Sequence, residues 1–446
     1  MAQIIITAIG SAGDVHPLIG VGRALAARGH RVVFCTHPPF EAAARREGFA
    51  FVAIGTASDY AAALADPALW HPRTSFRTLW ALIAPVLEPH YEALVALRDP
   101  DTVLVGTLWA FSARLMQERH GTPYVSVQVS PSTLLSAHAP PAHKRLTIPR
   151  ALPLPIKAAL MTLIERTVLD AVCGPRLNAL RATLALPPAT RILGRWLHSP
   201  DGVLCLFPDW YAAPQPDWPS QHRQSGFPLF NDLDNDLDDS APDAELEAFL
   251  AAGEPPVVFT AGSTLIDRDH YARAVVHALR ATGTRGLLLG AAPGDAQHGR
   301  DMPRQRLLHR RYVPLRALLP RCRALVHHGG IGTASLAFEA GLPQVVTPFA
   351  HDQFDNAQRV ADAGCGVRLD APIKDAQLAR ALARVLHDPL IATRCAQQRA
   401  KLAASPNGCD DAARFIERFA PSAAQAFASA VAPEPPRAPV LKVVRT

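Results

Sequence analysis

Residues 326–333, with the sequence VHHGGIGT, bring two histidines next to three glycines and a threonine. Glycine has no Cβ, so the backbone N–H groups of Gly330 and Gly332 can approach a ligand closely. A predicted helix follows, and its N-terminus adds partial positive charge. The ring of His328 and the hydroxyl of Thr333 add hydrogen-bond donors. The segment predicts a pyrophosphate site, and a strand-to-helix turn without a ligand is the alternative.

A second polar motif, PFAHDQFDNAQ at residues 348–358, follows the next predicted strand. Asp352 and Gln353 carry the hydrogen-bonding groups that sugar hydroxyls need, although aspartate and asparagine here also fit helix N-caps. The strict GxGxxG pattern is absent from both halves, and the second predicted strand ends in CTHP, without an acid for a ribose. A dinucleotide-dependent oxidoreductase is therefore disfavoured.

Parallel strands are needed to bring these motifs together. An apolar run at residues 4–9 leads into a glycine-bearing loop, a helical pattern and a new apolar run from Val32. This order predicts strand, helix and parallel strand with a right-handed crossover. The second half repeats the scheme, so we predict an α/β fold of two doubly wound, Rossmann-like domains that face each other across a cleft, where ligands bind. The other predicted strands are 49–54, 102–107, 123–130, 201–208, 255–263, 285–290, 323–328, 343–348 and 366–370.

Composition sets the predicted domain boundaries. Residues 1–226 form the N-terminal domain, and 244–420 form the C-terminal domain. The stretch 227–243 is polar and acidic, and we predict that it is a linker. A calcium loop is disfavoured there, because Leu237 stands where such a loop needs glycine. Residues 421–446 include APEPPRAP and are expected to be a disordered tail.

The bulk properties limit the class of protein. The 446 residues are 49% hydrophobic and 19% charged, with a net charge of +6, which suits two globular domains and anionic ligands. Lysine and arginine are scattered without interleaved aromatic residues, so nucleic acid is not an expected partner. Seven cysteines without a CxxC pair favour reduced thiols in a cytoplasmic protein. No signal peptide or spanning segment is evident, so we expect at most peripheral contact with the inner membrane.

Three ordered motifs, GSAGDVHPLIGVGRAL, HHGGIGT and HDQFDNA, resemble the GT-B family 1 glycosyltransferases over nearly the whole chain. AIGSAGDVHPLIG and PFAHDQFDNA look most similar to the bacterial rhamnosyltransferases of rhamnolipid synthesis, and sterol and macrolide glycosyltransferases are more distant. This resemblance implies an inverting, metal-independent enzyme. It would move L-rhamnose from dTDP-L-rhamnose to the hydroxyl of a 3-(3-hydroxyalkanoyloxy)alkanoate lipid, giving mono-rhamnolipid. A nucleotide sugar would be its co-substrate, without a further cofactor.

The resemblance assigns the nucleotide sugar to the C-terminal domain and the acceptor to the N-terminal domain. Asp352 and Gln353 would contact the donor sugar. Tyr312 stands where plant members have a tryptophan, so its ring would stack on the base, and Val313 would offer backbone hydrogen bonds. The donor diphosphate would be held by His328, Gly330, Gly332, Thr333, Ser263 and Thr264.

The catalytic base would come from the N-terminal loop. Asp14 stands where plant members have a histidine, in GDVHP. Inverting transfer needs a base on the acceptor hydroxyl, and a carboxylate can take that proton late in the reaction. His16 is the rival base, and an N-cap of a helix that begins near Pro17 is the structural alternative for Asp14. His328 and the helix N-terminus would stabilise the leaving diphosphate without a metal.

The acceptor is the least defined part of this interpretation. One apolar group and residues 131–165 would suit a hydrophobic, hydroxylated acceptor, but core packing explains them equally well. A partner enzyme would make a lipid acceptor. The alternatives are UDP-glucose-dependent transfer to a sterol or polyketide, and a non-catalytic activator of a partner transferase. The apolar group consists of Phe76, Leu79, Trp80, Leu82, Ile83 and Val86.

Overall fold

The chain forms two parallel β-sheets with helices packed against them, which confirms the predicted α/β class. Ser263 and Thr264, most of the predicted linker and the predicted tail lie outside the described residues. The computed structural model describes residues 1–144, 147–230, 243–260, 268–290, 302–370 and 372–420.

The N-terminal sheet has the strand order β3-β2-β1-β4-β5-β6-β7 among the described residues, and every pair is parallel. Its central strands are buried on both faces, which is why they read as continuous apolar runs. The short β7, with the sequence HRQ, has no such run and was not predicted. The strands are β1 (Gln3–Thr7), β2 (Arg31–Thr36), β3 (Ala50–Ala53), β4 (Thr102–Gly106), β5 (Tyr124–Gln128), β6 (Gly202–Cys205) and β7 (His222–Gln224).

The C-terminal sheet has the order β10-β9-β8-β11-β12-β13 in the part of the chain that is described, again with parallel pairs. The strand order reverses between β1 and β4 in the first sheet and between β8 and β11 in the second. Loops at such reversals form the ligand crevice of open α/β sheets. The strands are β8 (Val257–Thr260), β9 (Gly286–Leu289), β10 (Leu307–Arg310, not predicted), β11 (Ala324–His327), β12 (Gln344–Val346) and β13 (Gly366–Arg368).

Helices connect the strands of the N-terminal half. Helix α1 begins five residues before Pro17, which corrects the predicted start. The two helices α8 and α9 are joined without a break by a π-helical turn, Glu165–Leu169. The helices are α1 (Ala12–Ala27), α2 (Glu41–Arg46), α3 (Ala57–Ala65), α4 (Pro67–Trp70), α5 (Ser75–Ile83), α6 (Leu87–Leu97), α7 (Phe111–His120), α8 (Leu154–Ile164) and α9 (Asp170–Thr183).

The C-terminal helices cover the second sheet, except for the last one. Residues Ala412 and Ile416 of α17 share a buried cluster with Ile4 and Leu18 of the first half. The chain therefore returns to the N-terminal sheet, and the division at residues 227–243 stays a proposal. The helices are α10 (Ala244–Ala251), α11 (Arg268–Thr282), α12 (Leu315–Leu318), α13 (Ile331–Ala340), α14 (Gln353–Asp362), α15 (Asp375–His387), α16 (Pro389–Ala404) and α17 (Gly408–Glu417).

All seven cysteines are buried free thiols, as predicted from their number and spacing. Burial raises the pKa of several of them, for example that of Cys35 to about 12, so they remain protonated at neutral pH. Among the helices of the described residues, none combines the length and the apolar character needed to cross a bilayer.

Candidate active site

The first loop of the site joins β1 to α1 and carries Asp14. Ser11 is the N-cap of α1, and Asp14 lies at the third helical position rather than at the cap. One carboxylate oxygen of Asp14 accepts hydrogen bonds from the backbone N–H of Ser11 at 2.9 Å and from its hydroxyl at 3.2 Å. This capping arrangement corrects the expected N-cap role and fixes the carboxylate at the end of the strand.

Asp14 titrates near neutral pH. Burial and, to a smaller extent, the negative charge of Asp352 together raise its pKa to about 7, against the hydrogen bonds from Ser11, which lower it. A carboxylate from the N-terminal half and one from the C-terminal half therefore face the same space. The ring of His16, the rival base, lies edge-on to Phe40 with centroids 5.8 Å apart.

The two adjacent histidines have different environments. His327 is fully buried, its Nδ1 accepts from the N–H of Gly329 at 3.2 Å, and its Nε2 lies 3.0 Å from Oε1 of Gln344. Both ring nitrogens are therefore used inside the protein. The next residue, His328, packs against Phe349, and Phe349 packs in turn against Trp70 of the N-terminal half. Only His328 is directed toward the opposite half.

Among the described residues, the ring of His328 keeps one unpaired nitrogen. Its Nδ1 is buried and has no hydrogen-bond partner among the described residues. Burial lowers the pKa of His328 to about 4, so the ring is neutral at pH 7. It can offer one N–H to a phosphate oxygen, but it does not bring a positive charge.

The glycines of the turn have separate reasons for being glycine. Gly329 has φ of +97°, and a Cβ there would lie 2.9 Å from a methyl carbon of Val346. A Cβ at Gly330 would lie 2.7 Å from Nε2 of His328. A Cβ at Gly332 would meet no atom of the described residues within 4 Å.

Helix α13 begins at Ile331, so Gly332 lies in its first turn. Gly330 is its N-cap and offers no side-chain hydrogen bond, so the first-turn N–H groups lack a side-chain cap. Thr333 lies in this turn and is partly buried. N–H groups without a side-chain cap, close to the ring of His328, are suited to bind an anion. The diphosphate site inferred from the sequence stays a prediction.

Asp352 and Gln353 begin α14. Asp352 is at the N-cap position, but its carboxylate does not cap the helix and instead accepts from the amide of Asn356 at 2.8 Å. Burial raises the pKa of Asp352 to about 6. Gln353 is buried, and its Oε1 accepts from the N–H groups of Phe349 and Ala350 at 3.0 and 3.1 Å. Gln353 therefore also shapes the loop before the helix.

The predicted base-binding residues lie on the loop after β10. Tyr312 is 44% exposed, whereas the side chain of Val313 is packed in a core cluster with Leu289 and Leu318. An exposed ring next to an anchored residue is compatible with stacking on a base. Their roles stay predictions.

The predicted apolar group is divided by the fold. Trp80 and Ile83 are buried core residues, and Leu82 is 38% exposed. Phe76, Leu79 and Val86 are partly buried at the edge of the same cluster. Core packing therefore explains Trp80 and Ile83, whereas the other four side chains are only partly buried or exposed.

Several side chains at the interface between the halves were not singled out from the sequence. His351 has φ of +50°, which is uncommon for a residue with a Cβ, and its ring lies 5.4 Å from that of Trp70. Ser130 and Tyr211 contact Asn356 from the N-terminal half. The motif HDQFDNA contains His351 and the asparagine that the sequence analysis considered as an N-cap, but no spacing rule points to Ser130 or Tyr211.

Within the described ranges, no three His, Cys, Asp or Glu side chains come together in a way that could hold an ion. The predicted independence from metal remains to be tested by experiment.

The chain was compared with known proteins. Residues 4–139 match the glycosyltransferase family 28 N-terminal domain, and residues 295–417 match the C-terminal domain of erythromycin biosynthesis protein CIII-like proteins. Glycosyltransferase GtfC of Amycolatopsis orientalis is 31% identical over 383 residues, which cover 83% of this chain and 87% of the relative. The chain therefore belongs to the GT-B family 1 glycosyltransferases, and it is an enzyme that uses a nucleotide-sugar donor.

Solved structures support the same fold. The glycosyltransferase of kitacinnamycin superposes with a TM-score of 0.71 at 23% identity, covering 94% of this chain and 99% of its own. The spinosyn rhamnosyltransferase SpnG, complexed with thymidine diphosphate, superposes with a TM-score of 0.60 at 21% identity, covering 94% of this chain and 100% of its own. The predicted GT-B architecture is confirmed.

Proposed function

We propose that this glycosyltransferase inverts the anomeric centre and uses Asp14 as its general base. The observation that carries the proposal is the electrostatic interaction of the Asp14 carboxylate with that of Asp352. The amide of Asn356 joins Asp352 to the carbonyl of Gly329 in the turn before α13. A donor sugar held by Asp352 and Gln353 would then lie between the base and the diphosphate site. The acceptor hydroxyl would enter from the N-terminal half.

The reaction is a single displacement. The acceptor oxygen forms a bond to the anomeric carbon as the bond from that carbon to the diphosphate oxygen breaks, and Asp14 takes the hydroxyl proton. A base with a pKa of about 7 is ionised in a substantial fraction at neutral pH, and it is more basic than an ordinary carboxylate. The leaving diphosphate receives hydrogen bonds from His328 and from the N–H groups around Gly330 and Gly332.

We propose dTDP-L-rhamnose as the donor. The resemblance of the sequence motifs to rhamnosyltransferases supports it, as does the thymidine diphosphate held by the spinosyn rhamnosyltransferase. Tyr312 would stack on thymine, and the backbone of Val313 would bind its edge. Ser263 and Thr264, together with Thr333, would complete the phosphate contacts.

We propose a 3-(3-hydroxyalkanoyloxy)alkanoate lipid as the acceptor and mono-rhamnolipid as the product. Partly buried apolar side chains support an apolar acceptor. The ring centroids of Phe76 and Trp109 are 6.1 Å apart. Leu79 and Leu108 pack, like these two rings, against the buried cluster that contains Trp80. A partner enzyme would have to supply this lipid.

A second acceptor class is favoured by the relatives. The spinosyn and kitacinnamycin transferases have names that associate them with antibiotic-type natural products. Transfer to a polyketide or a sterol, with UDP-glucose as a further donor, is therefore the second candidate.

The experiment is product detection by mass spectrometry. Purified enzyme is incubated with the hydroxyalkanoyloxy-alkanoate or with a polyketide aglycone, with dTDP-L-rhamnose or UDP-glucose, and with or without a chelator. A rhamnosyl lipid that forms despite the chelator, and that the Asp14→Asn variant does not make, is the expected result. Product from the aglycone alone would replace the lipid proposal with the second candidate.

We also propose peripheral contact with the inner membrane, where such a lipid would collect. Leu154, Ile156 and Leu163 of α8 are 41%, 48% and 56% exposed. Flotation with anionic lipid vesicles tests this contact. Binding that survives the Ile156→Glu and Leu163→Glu substitutions would exclude this face.

A further inference from the structure

Asn356 lies in the interior between the two halves. It is fully buried at the start of α14, four residues after Asp352. Its Nδ2 donates to the carbonyl of Gly329 at 2.9 Å and to Oδ2 of Asp352 at 2.8 Å. Its Oδ1 accepts from the hydroxyl of Tyr211 at 3.0 Å and from that of Ser130 at 3.3 Å. These contacts use both donors and both acceptor positions of the amide.

The chemistry of the partners fixes the orientation of this amide. The carbonyl of Gly329 and the ionised carboxylate of Asp352 can only accept hydrogen bonds, so the NH₂ group must face them. A flipped amide would place its oxygen against both oxygens. Burial raises the pKa of Tyr211, so its hydroxyl keeps the proton that it donates to Oδ1.

The contacts join the donor site to the opposite half of the molecule. Gly329 belongs to the glycine turn, and Asp352 is the proposed sugar ligand, whereas Ser130 and Tyr211 come from the N-terminal half.

The same helix has further contacts with the N-terminal half. Oδ1 of Asp355 accepts from the N–H of Ala142 at 2.9 Å, and Asp362 pairs with Arg150 at 2.9 Å. Helix α14 is thus seated on the N-terminal half along its length, and Asn356 lies closest to the reacting groups.

We propose that Asn356 is a positioning residue for the donor sugar. It holds the carboxylate of Asp352 and the carbonyl of Gly329 in one arrangement, and the hydroxyls of Tyr211 and Ser130 hold its own amide. The N-terminal half, which receives the acceptor, thereby completes the donor-sugar site. The inference rests on the proposed role of Asp352 and extends it.

The test compares affinity for the nucleotide sugar with affinity for the free nucleotide. Calorimetry with dTDP-L-rhamnose and dTDP, or with UDP-glucose and UDP if only that pair binds the wild type, gives a ratio that isolates the sugar contacts. The variants are Asn356→Leu, which keeps the side-chain shape, Tyr211→Phe, which removes one hydroxyl, and Asp352→Asn. Tyr271→Phe is the matched control, because that buried hydroxyl has no hydrogen-bond partner among the described residues.

The expected result is a loss specific to the sugar. Asn356→Leu should lower the ratio about tenfold or more, and Tyr211→Phe roughly threefold, because each removes buried hydrogen bonds that orient a carboxylate. Tyr271→Phe should leave the ratio unchanged. If Asn356→Leu does not fold, Tyr211→Phe carries the test alone, since its ring packing against Phe227 and Phe338 is retained.

Two outcomes overturn the inference, and they differ in what they say about the proposed function. If Asp352→Asn lowers the ratio but the Asn356 and Tyr211 variants weaken sugar nucleotide and nucleotide equally, Asn356 is merely structural. If Asp352→Asn leaves the ratio unchanged, the proposed sugar contact fails, and the inference that depends on it fails as well.

Discussion

The two strand-to-helix turns of the site are built differently, although both follow a strand at a reversal of the sheet order. After β1, the start of α1 is closed by Ser11 and Asp14, which bond to each other. After β11, the start of α13 has only Gly330 as its N-cap, without a side-chain hydrogen bond. The N-terminal turn presents a carboxylate, whereas the C-terminal turn presents backbone N–H groups and the ring of His328.

This difference separates the two chemical tasks of a glycosyltransferase. A helix N-terminus that is occupied by its own carboxylate has little capacity left for an anion, but that carboxylate is held rigidly for proton transfer. A helix N-terminus without a side-chain cap remains free to stabilise a leaving diphosphate. One supersecondary unit can therefore support either task, depending on whether its first turn carries an acid or a glycine.

The largest effect should come from removing the base of the N-terminal turn. Asp14→Asn is expected to lower kcat by about 10²- to 10⁴-fold, because an amide cannot take the acceptor proton. Affinity for dTDP, measured by calorimetry, should stay near the wild-type value. His16→Gln is the matched control and should retain activity. An inactive His16→Gln enzyme together with an active Asp14→Asn enzyme would reassign the base.

The next largest effect should come from adding a methyl group to the C-terminal turn. Gly330→Ala places a Cβ 2.7 Å from Nε2 of His328, so the ring must move, and dTDP affinity should fall about tenfold or more. The added methyl of Gly332→Ala meets no atom in the part of the chain that is described, and it should raise the free energy of unfolding by up to about 1 kcal/mol, because alanine favours helix. Titration calorimetry measures the dTDP affinity of each variant, and thermal unfolding measures its stability. Unchanged dTDP affinity in both variants would remove the diphosphate from this turn.

The pH dependence of activity tests the electrostatic interaction between Asp14 of the N-terminal half and Asp352 of the C-terminal half. Activity requires ionised Asp14 and should be lost as the pH falls through about 7. Asp352→Asn removes a charge that raises the pKa of Asp14, so the acidic limb of the residual kcat should move to lower pH. A pH–rate profile of both enzymes measures the shift. An acidic limb at the same pH in both enzymes would mean that the charge of Asp352 does not affect the pKa of Asp14.

The smallest effect should come from the cap itself. Ser11→Ala removes the hydroxyl that lowers the pKa of Asp14, so the acidic limb should move slightly to higher pH. The lost capping contact should cost roughly 0.5–2 kcal/mol of stability, measured by denaturant unfolding. A limb that moves to lower pH instead would contradict the hydrogen bond between Ser11 and Asp14.

Much of the fold could be predicted because buried parallel strands read as apolar runs. The strands β7 and β10 are not predicted, because both are short, HRQ is entirely polar and LLHR is half polar. The start of α1 was misplaced because proline is common in the first turn of helices, whereas Pro17 lies farther inside. The sequence pattern therefore predicts the presence of most long elements, but it predicts their first and last residues less accurately.

The sequence by itself determined the residue types of the site: a carboxylate after the first strand, bare glycines beside His328, and a polar motif at the start of α14. Only the tertiary structure decided that His327 is internal, that Asp14 titrates near neutral pH, and that Asn356 meets Ser130 and Tyr211. Residue types and local spacing follow from neighbours in the chain. Burial, charge interaction and shared hydrogen bonds depend on groups that are distant in sequence and become neighbours only when both halves are folded.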